Sequence, residues 1–306
     1  MSSATPCCGP SRSCPASVGS VSKASGVLAS DVASTLVAVQ GRIFEMGARR
    51  PRHEADLDSP RRKVRVAAFR LAATTVTNAL FARFIAETGY VTTAERIGTS
   101  YVFYRHLTRP ERFPAPSPLT PWWRDVPGAA WCAPAGPGSD LAGLEDHPVT
   151  HVSWEDATAF CTATGHRLPE EAEWECAARG GLVGKKYPWG SAPDVDDPPR
   201  HNVWQDTFPT GGGAGGLVSA TAFAPNQLGF YNMTGNVWEW CATHWGPLPR
   251  MGENSERRGG DAYVQRGGSY LCHASYCERY YVHSRISNSA GTTTGHTGFR
   301  VAADPS

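Results

Sequence analysis

Apolar side chains recur at helical spacing in three stretches of the chain. In TNALFARFIAETGY, Leu80, Phe81, Phe84 and Ile85 form one stripe, Thr77 or Asn78 offers a capping oxygen, and Gly89 supplies the stop. In SWEDATAFCTATG, Trp154, Ala157, Phe160 and Cys161 share a face, Ser153 and Asp156 make a capping box with the shorter acid, and Gly165 terminates. In RLPEEAEWECAARGG, Pro169 falls in the first turn, Glu170 and Glu171 sit at the positive end of the dipole, Arg179 sits at the negative end, and Gly180 is the stop. Beyond residue 182 the periodicity gives way to short extended pieces among aromatics and glycines, with RVAAD at 300–304 as a closing strand and RGGSY at 266–270 alternating like a strand that enters a loop.

Glycine and proline, 32 and 24 of 306 residues, punctuate the whole chain, which predicts short elements joined by many ordered turns. Residues 1–35 are rich in Ser, Ala, Pro and Gly and poor in large apolar side chains, so a flexible tail is expected there. From Leu36 to residue 306 no low-complexity linker divides the sequence, and one domain is expected. An apolar content of 41% is enough for a sizeable core.

A formal charge of +1 gives no long-range field that would attract nucleic acid or an anionic membrane, so neither is expected as a partner. No basic n-region is followed by an apolar stretch, and no apolar run is long enough to cross a bilayer, so a cytoplasmic protein is expected; nothing in the sequence suggests an oligomer, and a monomer is expected. A reducing compartment would hold most of the 9 cysteines as thiols, and Cys161, Cys176 and Cys241 read as small buried hydrophobes.

Cys272 and Cys277 ask for more. Positions five apart lie about 140° around a helix and on opposite faces of a strand, so the two sulfurs meet only if the chain turns between them. Three readings stand: a small-loop disulfide, a zinc corner, for which His283 and His296 lack the usual close second-pair spacing, and, favoured over both, a reactive dithiol tuned by Ser269 and His273.

GRIFEMG (41–47), HPVTHVSWEDATAFC (147–161), RLPEEAEWECAARGG, YPWG (187–190), GFYNMTGNVWEWC (229–241), RGGSYLCHASYC (266–277) and GHTGFR (295–300) together resemble the formylglycine-generating enzymes, in family order over nearly the whole chain. The resemblance implies an α+β fold, a single domain of the variant C-type-lectin-like kind with little regular secondary structure. It also implies an activity: a copper-dependent oxidase that uses dioxygen to convert the cysteine of C-x-P-x-R in an unfolded sulfatase chain to formylglycine. A non-catalytic binding module and a divergent oxidase acting on another thiol share the fold and remain as rivals.

Carried over by position, Cys272 and Cys277 match the thiols that hold Cu(I), a soft ion suited to thiolates. Ser269 and His273 match residues lining that site, Trp238 an aromatic wall, and Arg285 a basic neighbour. Asn232, the carbonyls of Gly235 and Val237, and Glu239 match a calcium loop. A second calcium loop begins at Asn202 and Val203 and then departs from the family pattern at GGGAGG (211–216), which implies that this site is lost or weakened. Thr75 and Thr99 stand where some relatives place acids for the arginine of C-x-P-x-R, which puts the arginine preference in doubt. Ala274 and Glu278 replace the basic and polar residues common beside the cysteines.

The tail carries the substrate pattern itself: Cys8-Gly9-Pro10-Ser11-Arg12 satisfies C-x-P-x-R. A tail of this length reaches across the domain at about 3.3 Å per residue, so a pseudosubstrate or self-substrate role is sterically open. Adjacent Cys7 and Cys8 also suit capture of a soft metal ion.

Overall fold

A computed structural model of the chain describes residues 9–12, 21–192, 199–212, 215–250 and 260–305. Within them lie helices α1 (Gly26–Ser34), α2 (Asn78–Thr88), α3 (Thr93–Ile97), α4 (Trp154–Thr164) and α5 (Glu171–Ala178). The strands are β1 (Leu36–Val39), β2 (Arg42–Met46), β3 (Arg62–Val66), β4 (Phe69–Ala72), β5 (Thr99–Phe103), β6 (Trp123–Pro127), β7 (Trp238–His244), β8 (Ala262–Arg266), β9 (Arg285–Ser289), β10 (Thr297–Phe299) and β11 (Ala302–Ala303). They form a three-stranded sheet in the order β1-β4-β11, a four-stranded sheet in the order β10-β7-β8-β9, and the pairs β2-β3 and β5-β6. Only β10 and β7 run parallel among these described pairings, and long ordered loops connect the rest.

The helix boundaries follow local chemistry. Thr77 caps α2 by accepting from the Leu80 N–H, and Gly89 ends it in the left-handed region at φ 66°. Ser153 and Asp156 form the full reciprocal capping box of α4. In α5 the cap is Glu170, paired with Glu173, so Pro169 stands just before the helix and not inside its first turn.

The expected tail is shorter than composition implies. Ser25 caps α1 through the Leu28 N–H, and Leu28 and Val32 are fully buried in the main core beside Phe81, Phe84, Phe160 and Phe299. Burial of a leucine contributes about 1.5–3 kcal/mol, and two apolar side chains one helical turn apart, with the Ser25 cap, help to hold α1 on the core. The folded part therefore begins before Leu36.

A second apolar cluster, containing Trp174, Phe230, Met233, Cys241 and Val264, packs under α5. Cys161, Cys176 and Cys241 are buried free thiols in these clusters, as their apolar neighbourhoods predict. Loops are pinned by buried ion pairs: Arg300 to Glu239, Arg285 to Glu171, Arg279 to Asp56, and Glu175 to both Arg179 and Arg266. Burial pushes the Glu175 carboxyl up, but Arg179 and Arg266 outweigh it and hold the group at about 2. No helix among the described residues is long and apolar enough to cross a membrane.

Candidate active site

The loop between β8 and β9 carries the cysteine pair. The sequence RGGSY suggests a strand entering a loop, but β8 stops at Arg266. Gly267 and Gly268 then take φ 96° and 77°, and a Cβ on Gly268 would meet the Arg279 carbonyl oxygen at 2.6 Å, so only glycine lets the two arms of the loop close. The turn that brings the sulfurs together is built on one acceptor: the His273 carbonyl takes N–H groups from Tyr276 (3.0 Å), Cys277 (2.9 Å) and Glu278 (2.9 Å).

Cys272 Sγ and Cys277 Sγ stand 3.1 Å apart, beyond a disulfide bond of about 2.05 Å, and both are free thiols almost wholly buried. The Ser269 N–H points at Cys272 Sγ at 3.4 Å. Trp238, fully buried, packs with both cysteines and Ile286, and its Nε1 has no hydrogen-bond partner. Burial, then the contact with Cys277, holds the Cys272 thiol well above its ordinary value, so a bound soft cation has to displace a proton there.

The zinc corner does not form. His296 Nδ1 bonds Thr294 Oγ1 at 2.7 Å, and His283 lies 3.8 Å from Asp58. Among the described residues no three His, Cys, Asp or Glu side chains gather as a metal cluster. The thiol pair offers two soft donors.

A seam runs where the β5-β6 ladder meets the end of β9 and the turn after it. Tyr101 and Asp125 face each other across the β5-β6 ladder, and the Thr99 hydroxyl donates to Asp125 Oδ1. Residues 9–12 lie along the seam. Arg12 Nη2 donates to Asp125 Oδ2 at 2.6 Å, its Nε to the Tyr101 hydroxyl at 3.2 Å, and its guanidinium carbon stands 4.6 Å from the Tyr101 ring centroid. Its backbone N–H donates to Thr292 Oγ1 (2.9 Å) and its carbonyl accepts from Ser289 Oγ (2.7 Å). Asn288 Nδ2 donates to the Pro10 carbonyl at 3.3 Å.

The Sulfatase-modifying factor enzyme 1-like domain matches residues 25–305. The chain belongs to the formylglycine-generating enzyme family. It is 46% identical to the Formylglycine-generating enzyme of Thermomonospora curvata, covering 90% of this chain and 95% of that one. It is also 40% identical to the Inactive C-alpha-formylglycine-generating enzyme 2 of Mus musculus, covering 88% and 85%. The structure of PvdO from Pseudomonas aeruginosa shares the fold with a TM-score of 0.63 at 20% identity, covering 88% of this chain and 94% of that one.

Of the residues that the family resemblance singles out, Cys272, Cys277, Ser269 and Trp238 converge at one point. His273 contributes its carbonyl to the turn, while its ring faces Ser275 Oγ at 2.8 Å and is partly exposed. Arg285 is fully buried and committed elsewhere: it donates to both oxygens of Glu171 and to the Gly246 carbonyl and stacks over Trp245 at 4.4 Å. Its strand is the scaffold on which Ile286 reaches the cysteines.

In the loop Asn232–Glu239, the Asn232 Oδ1 is buried without a partner while its Nδ2 donates to the carbonyls of Ser219 and Ala220. Glu239 receives Arg300 through both oxygens and Trp174 Nε1 at 2.7 Å. Asn202 Nδ2 ties the glycine run to this loop through the Gly216 carbonyl and Asn236 Oδ1, with Val203 buried behind it. Residues 213–214 of that run, and Cys7 and Cys8 of the tail, lie outside the described residues.

Sequence reasoning passed over Tyr101, Asp125, Asn288, Ser289 and Thr292. The signal available for Asp125 was cross-strand: an acid in WWRDVP paired against TSYVF.

Proposed function

We propose that this chain oxidises the cysteine of a C-x-P-x-R segment in an unfolded sulfatase polypeptide to Cα-formylglycine. The observation that carries the reading is the pair of buried free thiols 3.1 Å apart, packed on Trp238. A binding module of the same fold has no use for two converging thiols there, although one relative bears the name inactive.

The reaction balances as follows. The peptidyl Cβ loses its sulfur and gains an oxygen, so its C–S bond is replaced by C=O and the sulfur leaves as hydrogen sulfide. Dioxygen accepts two electrons from that carbon and two from external low-molecular-weight thiols, which end as a disulfide, and its second oxygen leaves as water.

The donor set suits monovalent copper, since Cys272 and Cys277 are soft ligands and a substrate thiolate supplies a third. Copper held by Cys272 and Cys277 would supply the one-electron chemistry that dioxygen requires to react with a thiolate. Trp238 closes the wall behind the sulfurs and keeps bulk water from them, and the Ser269 N–H holds Cys272 Sγ in place.

Calcium is proposed for the loop of Asn232, Gly235, Val237 and Glu239. The partnerless Asn232 Oδ1 supports it, and Glu239 would share its carboxylate with Arg300. Asn202 and Val203 are not assigned a calcium ion.

The test incubates copper-loaded protein with a C-x-P-x-R peptide in air and a thiol reductant, and reads aldehyde by mass spectrometry together with hydrogen sulfide release. Wild type yields both, while Cys272→Ala and Cys277→Ala yield neither. Product from either alanine variant at the wild-type rate sinks the proposal.

A further inference from the structure

We infer that Gly9–Arg12 is a tethered copy of the substrate motif that occupies the seam in cis, and that Asp125 with Tyr101 forms the clamp reading the motif's arginine. The inference rests on the oxidase reading given above and adds the identity of the seam's resident occupant and of its specificity residues.

The contacts divide along the logic of a motif. Backbone groups of Pro10 and Arg12 bond Asn288, Ser289 and Thr292, contacts that any peptide with this backbone path can make. Side-chain selection is confined to the motif's fixed positions. Pro10 is buried, and Arg12 meets a carboxylate, a phenol oxygen and an aromatic face at once, a combination that a planar guanidinium satisfies and an ammonium does not. Ser11, a variable position of the pattern, is exposed, and its hydroxyl meets Ser289 Oγ at 2.9 Å.

The direction of the segment is also that of a substrate. Arg12 marks the outer end. At the inner end Gly9 is buried against His296 and Trp123. The His296 carbonyl accepts the Trp238 N–H at 2.9 Å, and Trp238 packs on Cys272 and Cys277. The chain therefore runs towards the thiol pair in the order in which C-x-P-x-R presents its cysteine.

The clamp also settles a substitution in this chain. The family resemblance implies an acid at the position of Thr99 in some relatives. Here the acid comes from the facing strand, at Asp125, and Thr99 bonds it and fixes its rotamer. Directly opposed residues of an antiparallel pair bring their Cβ atoms within about 5 Å, so Asp125 and Tyr101 can grip one guanidinium together.

A tethered occupant acts at an effective concentration of millimolar order for short flexible linkers, so a peptide binding in trans with a dissociation constant near 0.1 mM is weakened about tenfold. The experiment uses the thiol-free peptide Ser-Gly-Pro-Ser-Arg, extended by a few residues, and measures its affinity calorimetrically, without reference to turnover or metal. Three proteins are compared: the full chain, a chain lacking residues 1–20, which leaves Ser25 and α1 intact, and the full-length Arg12→Ala variant.

The truncated chain is expected to bind about tenfold more tightly than the full chain, with Arg12→Ala in between, and Asp125→Asn in the truncated background is expected to lose the gain. Equal affinities in all three proteins overturn the inference. If the full chain still forms aldehyde on a C-x-P-x-R peptide in that case, the oxidase reading survives alone. If no form binds the peptide and none forms aldehyde, both readings fail.

Discussion

Replacing Glu239 by Gln keeps the shape of the side chain and removes its charge at the centre of the fold. Arg300, fully buried, donates to the two Glu239 oxygens at 2.6 and 2.7 Å and to the carbonyls of Ala72, Ala73 and Tyr231, so it joins β4, β7 and the loop before β7. In Glu239→Gln one amide nitrogen must face the guanidinium, donor against donor, and the cation is left uncompensated. Breaking a buried pair in this way costs about 3–5 kcal/mol, a large share of a total stability of roughly 5–15 kcal/mol. Urea unfolding followed by tryptophan fluorescence measures the loss through the midpoint, with the slope unchanged. A double replacement, Glu239→Leu with Arg300→Met, is expected to recover the part of the loss due to the uncompensated charge, while Trp174 Nε1 and the carbonyls of Ala72, Ala73 and Tyr231 still lose a partner. The proposed calcium site adds a second arm: calcium at a hundredfold excess over its dissociation constant is expected to stabilise wild type by about 2.7 kcal/mol, and Glu239→Gln is expected to lose that increment too. A loss below about 1 kcal/mol for the single variant would refute the view that this pair organises the core, since it would fall within the range of exposed ion pairs.

Four further outcomes follow from the geometry. In the chain lacking residues 1–20, Asp125→Asn weakens binding of the thiol-free peptide about tenfold, close to 1.4 kcal/mol, because the charged hydrogen bond is half-exposed and partly screened; a peptide with Gln for Arg is insensitive to the same change. A Cβ at the Gly9 position would meet His296 Cε1 at 3.1 Å, so peptides with Val after the cysteine bind more weakly than those with Gly, measured by calorimetry. Leu28→Ala costs about 2–5 kcal/mol in urea unfolding, since α1 is part of the core. Glu175 has its folded value depressed from 4.5 to about 2, so its stabilisation is complete above pH 4.5 and is lost as pH falls towards 2; Glu175→Gln lowers stability at pH 7 and flattens acid unfolding across that window.

The sequence made some of these features legible and hid others, for physical reasons. The ends of α2 and α4 were readable because caps and glycine stops are local chemistry. α1 was not: Leu28 and Val32 are two apolar residues among small and polar ones, and their worth comes from Phe81 and Phe160, which lie far along the chain. The meeting of Cys272 with Cys277 could be framed as a turn, yet nothing local announced that one carbonyl would anchor it. Asp125 is the clearest loss. Its partner Arg12 is 113 residues away, and its role depends on a strand register that no single stretch encodes. Arg285 shows the opposite case, in which a family motif marks a residue whose contacts are all with the core.

The triple acceptor at His273 leaves the segment between the two sulfurs without slack. Side chains at Ala274, Ser275 and Tyr276 can be exchanged freely as far as this carbonyl is concerned, because only backbone donors reach it. Adding or removing a single residue there would instead rotate Cys277 out of reach of its neighbour. The count of residues, more than their identity, is what a redesigned version of this bend has to preserve.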